Sequence, residues 1–273
     1  MRPFLRWAGG KRWLVEADNI RLPRAGRYVE PFLGGGAVFF SQNARTALLS
    51  DLNPFLINSY RWMKISPLEL FELVQRHFNS HTNEYYYSVR SKLSAETIGD
   101  ASDFIYLNRA CFNGLFRVNL SGQFNVPIGS KLFRLQSKDE FINWAAHLEK
   151  TEILHSDFEA IIDQCGEGDF LFLDPPYTVK HNANGFIEYN EKIFSWEDQV
   201  RLAEALKRAA ERGSSFLLTN ADHDTVRSLY CDEWSFSSEE RGSEMASKTA
   251  YRGRTTELMV ASSDDILRPS RLL

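Results

Sequence analysis

The chain reads as an α/β protein built on a mostly parallel sheet, and three observations carry that reading. Short apolar runs of strand length recur along the 273 residues. They alternate with segments of helical periodicity, the pattern of a sheet covered on both faces. One of them, Phe170-Leu171-Phe172-Leu173, runs directly into Asp174-Pro175-Pro176-Tyr177. A continuous apolar run ending in a carboxylate is what a buried parallel strand presents at the carboxyl edge of an open sheet, where such folds bind ligands.

The elements follow in order. Gly26-Arg27-Tyr28-Val29-Glu30 reads as the first strand, Pro31 to Gly36 as a glycine turn, and Ala37-Val38-Phe39-Phe40 as the apolar start of a helix. A nicotinamide dinucleotide fingerprint would need a third glycine where Phe39 stands, which weakens a dehydrogenase reading. Ala47-Leu48-Leu49-Ser50 is the next strand and ends in Asp51, a place for a carboxylate that accepts from ribose hydroxyls. Ser66-Pro67-Leu68-Glu69 supplies a cap, a first-turn proline and an acid ahead of Leu70, Phe71, Val74 and Phe78 at helical spacing. From 57 to 148 the patterns are helical, with polar loops and no comparable strand run. This stretch is expected to be an inserted, mainly helical recognition domain, with 1–56 and 149–273 forming the catalytic domain. Strand runs resume at Ile153-Leu154, Phe170 to Leu173, Phe216 to Thr219 and Leu258 to Val260. A helix capped by Ser195 and Asp198, with Leu202, Ala205, Leu206 and Ala209 on its apolar face, separates the second and third of these and stops near Gly213.

Composition narrows the function class. No run approaches the roughly 20 apolar residues of a membrane helix, and the N-terminal segment is not a secretion signal, so a cytoplasmic protein is expected. Cys111, Cys165 and Cys231 are scattered and odd in number, which suits neither a disulfide framework nor a zinc knuckle. The net charge is −4, yet no Asp or Glu occurs between Phe104 and Lys138, where Arg109, Arg117, Lys131, Arg134 and Lys138 are basic. Asn113, Asn119, Gln123 and Asn125 are interleaved there with Phe112, Phe116, Phe124 and Phe133, the makeup of a surface that meets phosphates and base edges.

The tetrapeptide itself suits chemistry on an aromatic amine. Pro175 has a fixed φ and no N–H, and Pro176 biases it toward extended geometry, so the Pro175 carbonyl points in a preset direction. That carbonyl and the Asp174 carboxylate can each accept one N–H of an exocyclic amine, favouring a tetrahedral nitrogen whose lone pair is free to attack. Tyr177 can hold the ring by stacking, as enzymes acting on extruded bases do. Upstream, Phe4-Leu5-Arg6-Trp7-Ala8-Gly9-Gly10-Lys11-Arg12 places an indole, whose π face attracts onium cations, close to Lys11, which can meet a ligand carboxylate. Between Thr178 and Ser195 a polar segment with His181, Asn182, Asn184 and Gly185 has the character of a lid or a plain surface loop.

Five segments, Phe4–Lys11, Val29–Gly36, Ser50–Asn53, Leu107–Val126 and Asp174–Tyr177, together resemble the Dam-type, S-adenosylmethionine-dependent DNA adenine-N6 methyltransferases, the DPPY class of the D12 family. The resemblance runs from about residue 4 to about residue 260. It implies a Rossmann-like methyltransferase sheet and direct methyl transfer to adenine N6 in double-stranded DNA after base flipping, with no metal and no obligate protein partner, in a monomer. It implies that Trp7, Lys11, Phe32, Gly34, Asp51 and Asp174 contact the methyl donor. His155-Ser156-Asp157-Phe158 loosely matches the motif beside the donor's adenine, which adds Asp157 and Phe158. It also implies that Arg6, Phe112, Asn113, Leu115, Arg117 and Pro127 lie against the DNA, with Lys131 beside them, and that the target is GATC or a related site. Arg6, Phe112 and Ser130-Lys131 depart from the residues usual at their positions, which leaves the target site open. Roles in mismatch repair, replication, phage modification or restriction-modification stay open. Two rival functions are disfavoured: a methyltransferase for cytosine N4 or an RNA base, by the aspartate of the tetrapeptide and the recognition-segment match, and a catalytically silent DNA-binding or donor-binding protein, by intact Asp174, Tyr177, Lys11 and Asp51.

Overall fold

The structure is a computed structural model and describes residues 1–16, 26–42, 44, 46–119, 121–130, 134–178, 194–230, 234–242 and 254–267. Its strands are β1 (Arg27–Glu30), β2 (Ala47–Asp51), β3 (Thr151–His155), β4 (Asp169–Leu173), β5 (Ser215–Ala221), β6 (Ser235–Gly242) and β7 (Arg254–Ala261). They make one sheet of order β3-β2-β1-β4-β5-β7-β6, mostly parallel as the alternation of runs and helices predicts. The α-helices are α1 (Arg12–Glu16), α2 (Pro54–Ile65), α3 (Pro67–Asn79), α4 (Asn83–Lys92), α5 (Ile98–Ala110), α6 (Lys138–Leu148), α7 (Phe158–Ile162), α8 (Trp196–Glu211) and α9 (Asp224–Arg227).

By contact density the chain divides into two units: Met1–Arg12 with Leu33–Asn43 and Ala47–Ser156, and Trp13–Phe32 with Ala44–Thr46 and Asp157–Leu273. In the first, β2 and β3 pair in parallel from Ala47↔Thr151 to Asp51↔His155, and α2 to α6 lie between them in sequence. Local chemistry explains the helix starts. Asn53 accepts from the N–H groups of Phe55 and Leu56 with Pro54 at the first position of α2, and capping boxes open α5 (Thr97/Asp100) and α6 (Ser137/Glu140). Ser66 behaves differently from the cap its sequence context predicts. Its hydroxyl makes no capping bond, and the residue also ends α2, donating its backbone N–H to the Trp62 carbonyl. The core of this unit is aromatic: Phe4, Tyr60, Tyr106, Phe141 and Trp144 are at most 3% exposed, and Phe4 lies 4.8 Å from Tyr60 and 5.7 Å from Trp144 between ring centres.

In the second unit β1, β4 and β5 run parallel, with Phe170↔Ser215 and Leu173↔Leu218 in register. Four successive residues of β4, Phe170 to Leu173, are buried, as a strand covered on both faces requires. α8 carries the predicted Ser195/Asp198 capping box and buries Leu202, Ala205, Leu206 and Ala209. β7 is antiparallel to both of its neighbours, β5 and β6.

One reading of the sequence is corrected. No α-helix begins at Ala37: the chain makes a single 3-10 turn, Phe39–Ser41. Phe39 and Phe40 are both 1% exposed. The Ser41 hydroxyl takes the Val38 carbonyl and the amine of Met1 takes the Phe40 carbonyl at 3.0 Å, so the acceptors a longer helix would use are bonded elsewhere. β6 is a strand with no apolar run, SFSSEERG, and follows from no pattern in the sequence.

Candidate active site

In the first unit three residues expected at the methyl donor, Trp7, Gly34 and Asp51, come together. Asp51 ends β2, and its two carboxylate oxygens accept from the backbone N–H of Gly34 and of Asn53, each at 2.9 Å. Burial pushes this carboxyl above the usual Asp range, against the lowering pull of those N–H donors. Gly34 adopts φ +47, and a methyl added to it would lie 2.8 Å from Trp7 Cδ1 and 2.9 Å from Trp7 Nε1; one added at Gly35 would lie 3.0 Å from Trp7 Cβ. Only glycine lets the loop approach the indole this closely. Trp7 is half-buried and stacks on Phe116 at 5.6 Å and 18°. Lys11 is buried and donates from Nζ to the Gly9 carbonyl at 2.8 Å.

The second unit holds two further clusters. Phe32, half-buried, stacks on buried Phe158 (5.3 Å, 26°), and both rings meet Phe194. Asp157 caps α7 by accepting from the Glu159 N–H at 3.0 Å, and also accepts from Arg201 at 2.8 Å. Arg201 donates to Glu159 at 2.9 Å and Asp198 at 2.7 Å as well, and its guanidinium carbon sits 4.9 Å from the Phe158 ring centre. Bonds from Arg208 and then Arg201 hold Glu159 below the usual carboxylate range, and against the raising effect of burial the Ser195 N–H and Arg201 hold Asp198 below it. Asp174 follows the last residue of β4, and its Oδ1 accepts from the Thr219 hydroxyl at 2.8 Å. Pro175 is buried, and Asp174, Pro176 and Tyr177 are half-buried.

The residues expected at DNA sit on or beside an irregular hairpin with bridges Cys111↔Ile128 and Val118↔Phe124. Phe112 is 47% exposed, an unusual state for its type, and its N–H donates to the Pro127 carbonyl at 2.9 Å. Asn113 adopts φ 55, a left-handed conformation uncommon outside glycine. Leu115 is half-buried, and Arg117 is exposed and donates to Asn125 at 2.8 Å. Arg6 is tied to this region through Asn108, which accepts from the Arg6 N–H and donates to the Arg6 carbonyl, both at 2.8 Å. Lys131 and most of the 178–195 segment, including His181, lie outside the described residues.

Sequence reasoning missed Asn108, Arg201 and Thr219. Asn108 is buried in α5, where only its pairing partner reveals it. The signal for Thr219 was present: a hydroxyl and an amide, Thr219-Asn220, end an apolar run that neighbours the Asp174 strand. Among the described cysteines, Cys111 and Cys165 are buried free thiols pushed up to about 11 and about 12 by burial, so neither is poised as a nucleophile.

The profile of the D12 class N6 adenine-specific DNA methyltransferases matches residues 7–245. The chain belongs to that family. It is 35% identical over 96% of its length to type II methyltransferase M1.LlaDCHI of Lactococcus lactis subsp. cremoris, covering 95% of that protein. It is 39% identical over 85% of its length to the DNA N-6-adenine-methyltransferase of Escherichia phage P1, covering 31% of that longer chain. With the DNA adenine methylase of Vibrio cholerae serotype O1 the identity is 36%, over 84% of each chain. A solved precorrin 8w decarboxylase structure from Methanobacterium thermoautotrophicum covers 94% of this chain and 90% of its own at a TM-score of 0.35 and 10% identity, a level from which neither fold nor function transfers. The D12 enzyme described here is thus an adenine-specific DNA methyltransferase, and the family implies S-adenosylmethionine as its methyl donor. Among its described residues no helix is long and apolar enough to cross a membrane.

Proposed function

We propose that this methyltransferase acts on adenine N6 within double-stranded GATC or a closely related site, taking the base out of the stack before transfer. The observation that carries the reading is Asp174, half-buried at the end of β4 with one oxygen anchored, beside a proline carbonyl and an aromatic ring. Asp174 and the Pro175 carbonyl accept the two amine N–H groups, which holds the nitrogen lone pair out of the ring plane, while Tyr177 grips the base. On the donor side, Asp51 accepts from ribose hydroxyls, Lys11 meets the donor carboxylate, and the Trp7 face attracts the sulfonium. The half-exposed Phe32, backed by Phe158, gives the donor's adenine an apolar surface, with Asp157 at its edge.

When bound, the donor supplies a methyl group on a cationic sulfur that is already activated, so neither a metal nor a covalent enzyme intermediate is required. The chain's contribution is positioning and a carboxylate next to a nitrogen that becomes positive. Residues 57–148 serve as the recognition domain and 1–56 with 149–273 as the catalytic one. Arg6, Arg117 and Lys131 supply cations for guanines and phosphates, Phe112 a wedge, and Asn113, Leu115 and Pro127 the contact edge. The enzyme works as a monomer in the cytoplasm.

The test is methylation-sensitive sequencing of DNA from a host lacking adenine marks, with and without the gene, together with purified Asp174→Ala protein. GATC marked by the wild type and transfer lost in the variant, with the fold retained, is the expected result. Unimpaired transfer by Asp174→Ala overturns the assignment of Asp174, and marks confined to an unrelated sequence overturn GATC.

A further inference from the structure

β5 is apolar through Phe216, Leu217 and Leu218 and then turns polar inside the core, where Thr219 and Asn220 are both 0% exposed. A buried hydroxyl or amide is costly unless it is bonded, so the partners of these two residues indicate their use. The Thr219 hydroxyl has one proton and two acceptors in reach, the Asp174 carboxylate at 2.8 Å and the Leu173 carbonyl at 3.4 Å. The closer, charged acceptor takes it. The Leu173↔Leu218 register brings the two residues side by side, and the β-branched threonine is stiff at χ1. Next to it, Asn220 Nδ2 donates to Gln199 Oε1 at 3.0 Å, and Gln199 Nε2 donates to the Thr178 carbonyl at 3.3 Å. The tetrapeptide is therefore clamped at both ends by a buried network, at Asp174 by Thr219 and just past Tyr177 by Gln199.

We propose that Thr219 is a positioning residue for methyl transfer, its hydroxyl fixing the plane of the Asp174 carboxylate toward the adenine amine. The inference rests on the reading of Asp174 as an acceptor for that amine. Two effects of the hydroxyl oppose each other. Donation draws charge from the carboxylate and weakens it as an acceptor, so on that account its removal speeds transfer. It also restrains the Asp174 χ2 torsion, which is broad and two-fold for a free carboxylate, so on that account removal slows transfer. Positioning prevails, because a misplacement on the order of 1 Å at a reacting centre costs about a hundredfold in rate.

The experiment compares wild type with Thr219→Val, Thr219→Ser and Asp174→Ala. It measures single-turnover transfer of labelled methyl from S-adenosylmethionine to unmethylated DNA, and donor affinity by calorimetry without DNA. Thr219→Val is expected to slow transfer by about tenfold to a hundredfold with donor affinity retained, and Thr219→Ser to restore most of the rate. Transfer by Thr219→Val at or above the wild-type rate overturns the proposal, as does a serine variant as slow as the valine one. So does a rate loss that follows a loss of donor affinity. If Asp174→Ala remains active, the underlying reading of Asp174 fails; if Asp174→Ala is inactive while Thr219→Val is unimpaired, only the role of Thr219 fails. Should the valine variant not fold, Thr219→Ser and Thr219→Ala share the missing methyl and differ only by the oxygen. Their rates then decide, equal rates overturning the proposal.

Discussion

Gly34→Ala separates backbone strain from ligand binding. The new side chain must adopt φ +47, and its Cβ falls 2.8 Å from Trp7 Cδ1. The left-handed conformation costs about 1–2 kcal/mol for an L-residue. Relieving the contact adds about 1 kcal/mol, the low end for overpacking, because Trp7 is half-buried and can swing outward. Unfolding free energy should thus fall by about 2–3 kcal/mol in urea titrations. The swing moves the indole from its stack on Phe116, so donor affinity should fall about tenfold or more, equivalent to about 1.4 kcal/mol. Gly168→Ala is the control: it has φ +82 with nothing within 4 Å of the added methyl, so it carries the strain without the clash. Calorimetric titration of all three proteins with S-adenosylmethionine measures the difference. Donor affinity in Gly34→Ala equal to that in Gly168→Ala would refute the placement of Trp7 in the donor site.

Three further outcomes follow from the same geometry. Because burial raises the Asp51 pKa in the folded protein, the folded state binds more protons above the model-peptide value of 3.8, so stability should decline as pH rises through the raised value. Asp51→Asn should lack that decline in pH-dependent urea melts while losing donor binding. Arg201→Met should weaken donor affinity, and its stability should fall less on acidification than the wild type's, since the depressed pKa values of Asp198 and Glu159 contribute stability that disappears as pH drops through them. Gly36→Ala, at φ +65 with its Cβ 2.6 Å from the hydroxyl of fully buried Tyr60, should lose about 2–5 kcal/mol by thermal or urea unfolding, because that ring cannot swing away.

The parallel core was legible because strands buried on both faces must be continuously apolar, as Phe170 to Leu173 and Ala47 to Leu49 are. The caps of α5, α6 and α8 lie in short polar signatures, of which Ser195/Asp198 was read correctly. β6 was invisible because only its pairing with β7 makes SFSSEERG a strand. The expected helix at Ala37 failed for a tertiary reason: its carbonyls and its two phenylalanines are engaged by residues distant in sequence. Within the site, carboxylates and aromatics were legible by type and context. The polar end of the β5 run marks Thr219, but the partners that give Thr219, Arg201 and Asn108 their places, Asp174, Asp157 and Arg6, lie 45, 44 and 102 positions away, and no local pattern encodes those pairings.

Among the described residues β7 is the last strand in sequence order, yet it occupies an interior place, with Leu258, Met259, Val260 and Ala261 at most 1% exposed. Until it is synthesised, β5 and β6 have no shared neighbour, and the ladder that fixes Thr219 opposite Met259 cannot form. A ribosome-bound chain halted before Arg254 therefore leaves the apolar edge of β5 open to pairing with other chains, although the β4–β5 register that sets Thr219 beside Asp174 is already in place. Sealing of that edge is left to the segment from Arg254 to Ala261, the last of the described strands to leave the ribosome.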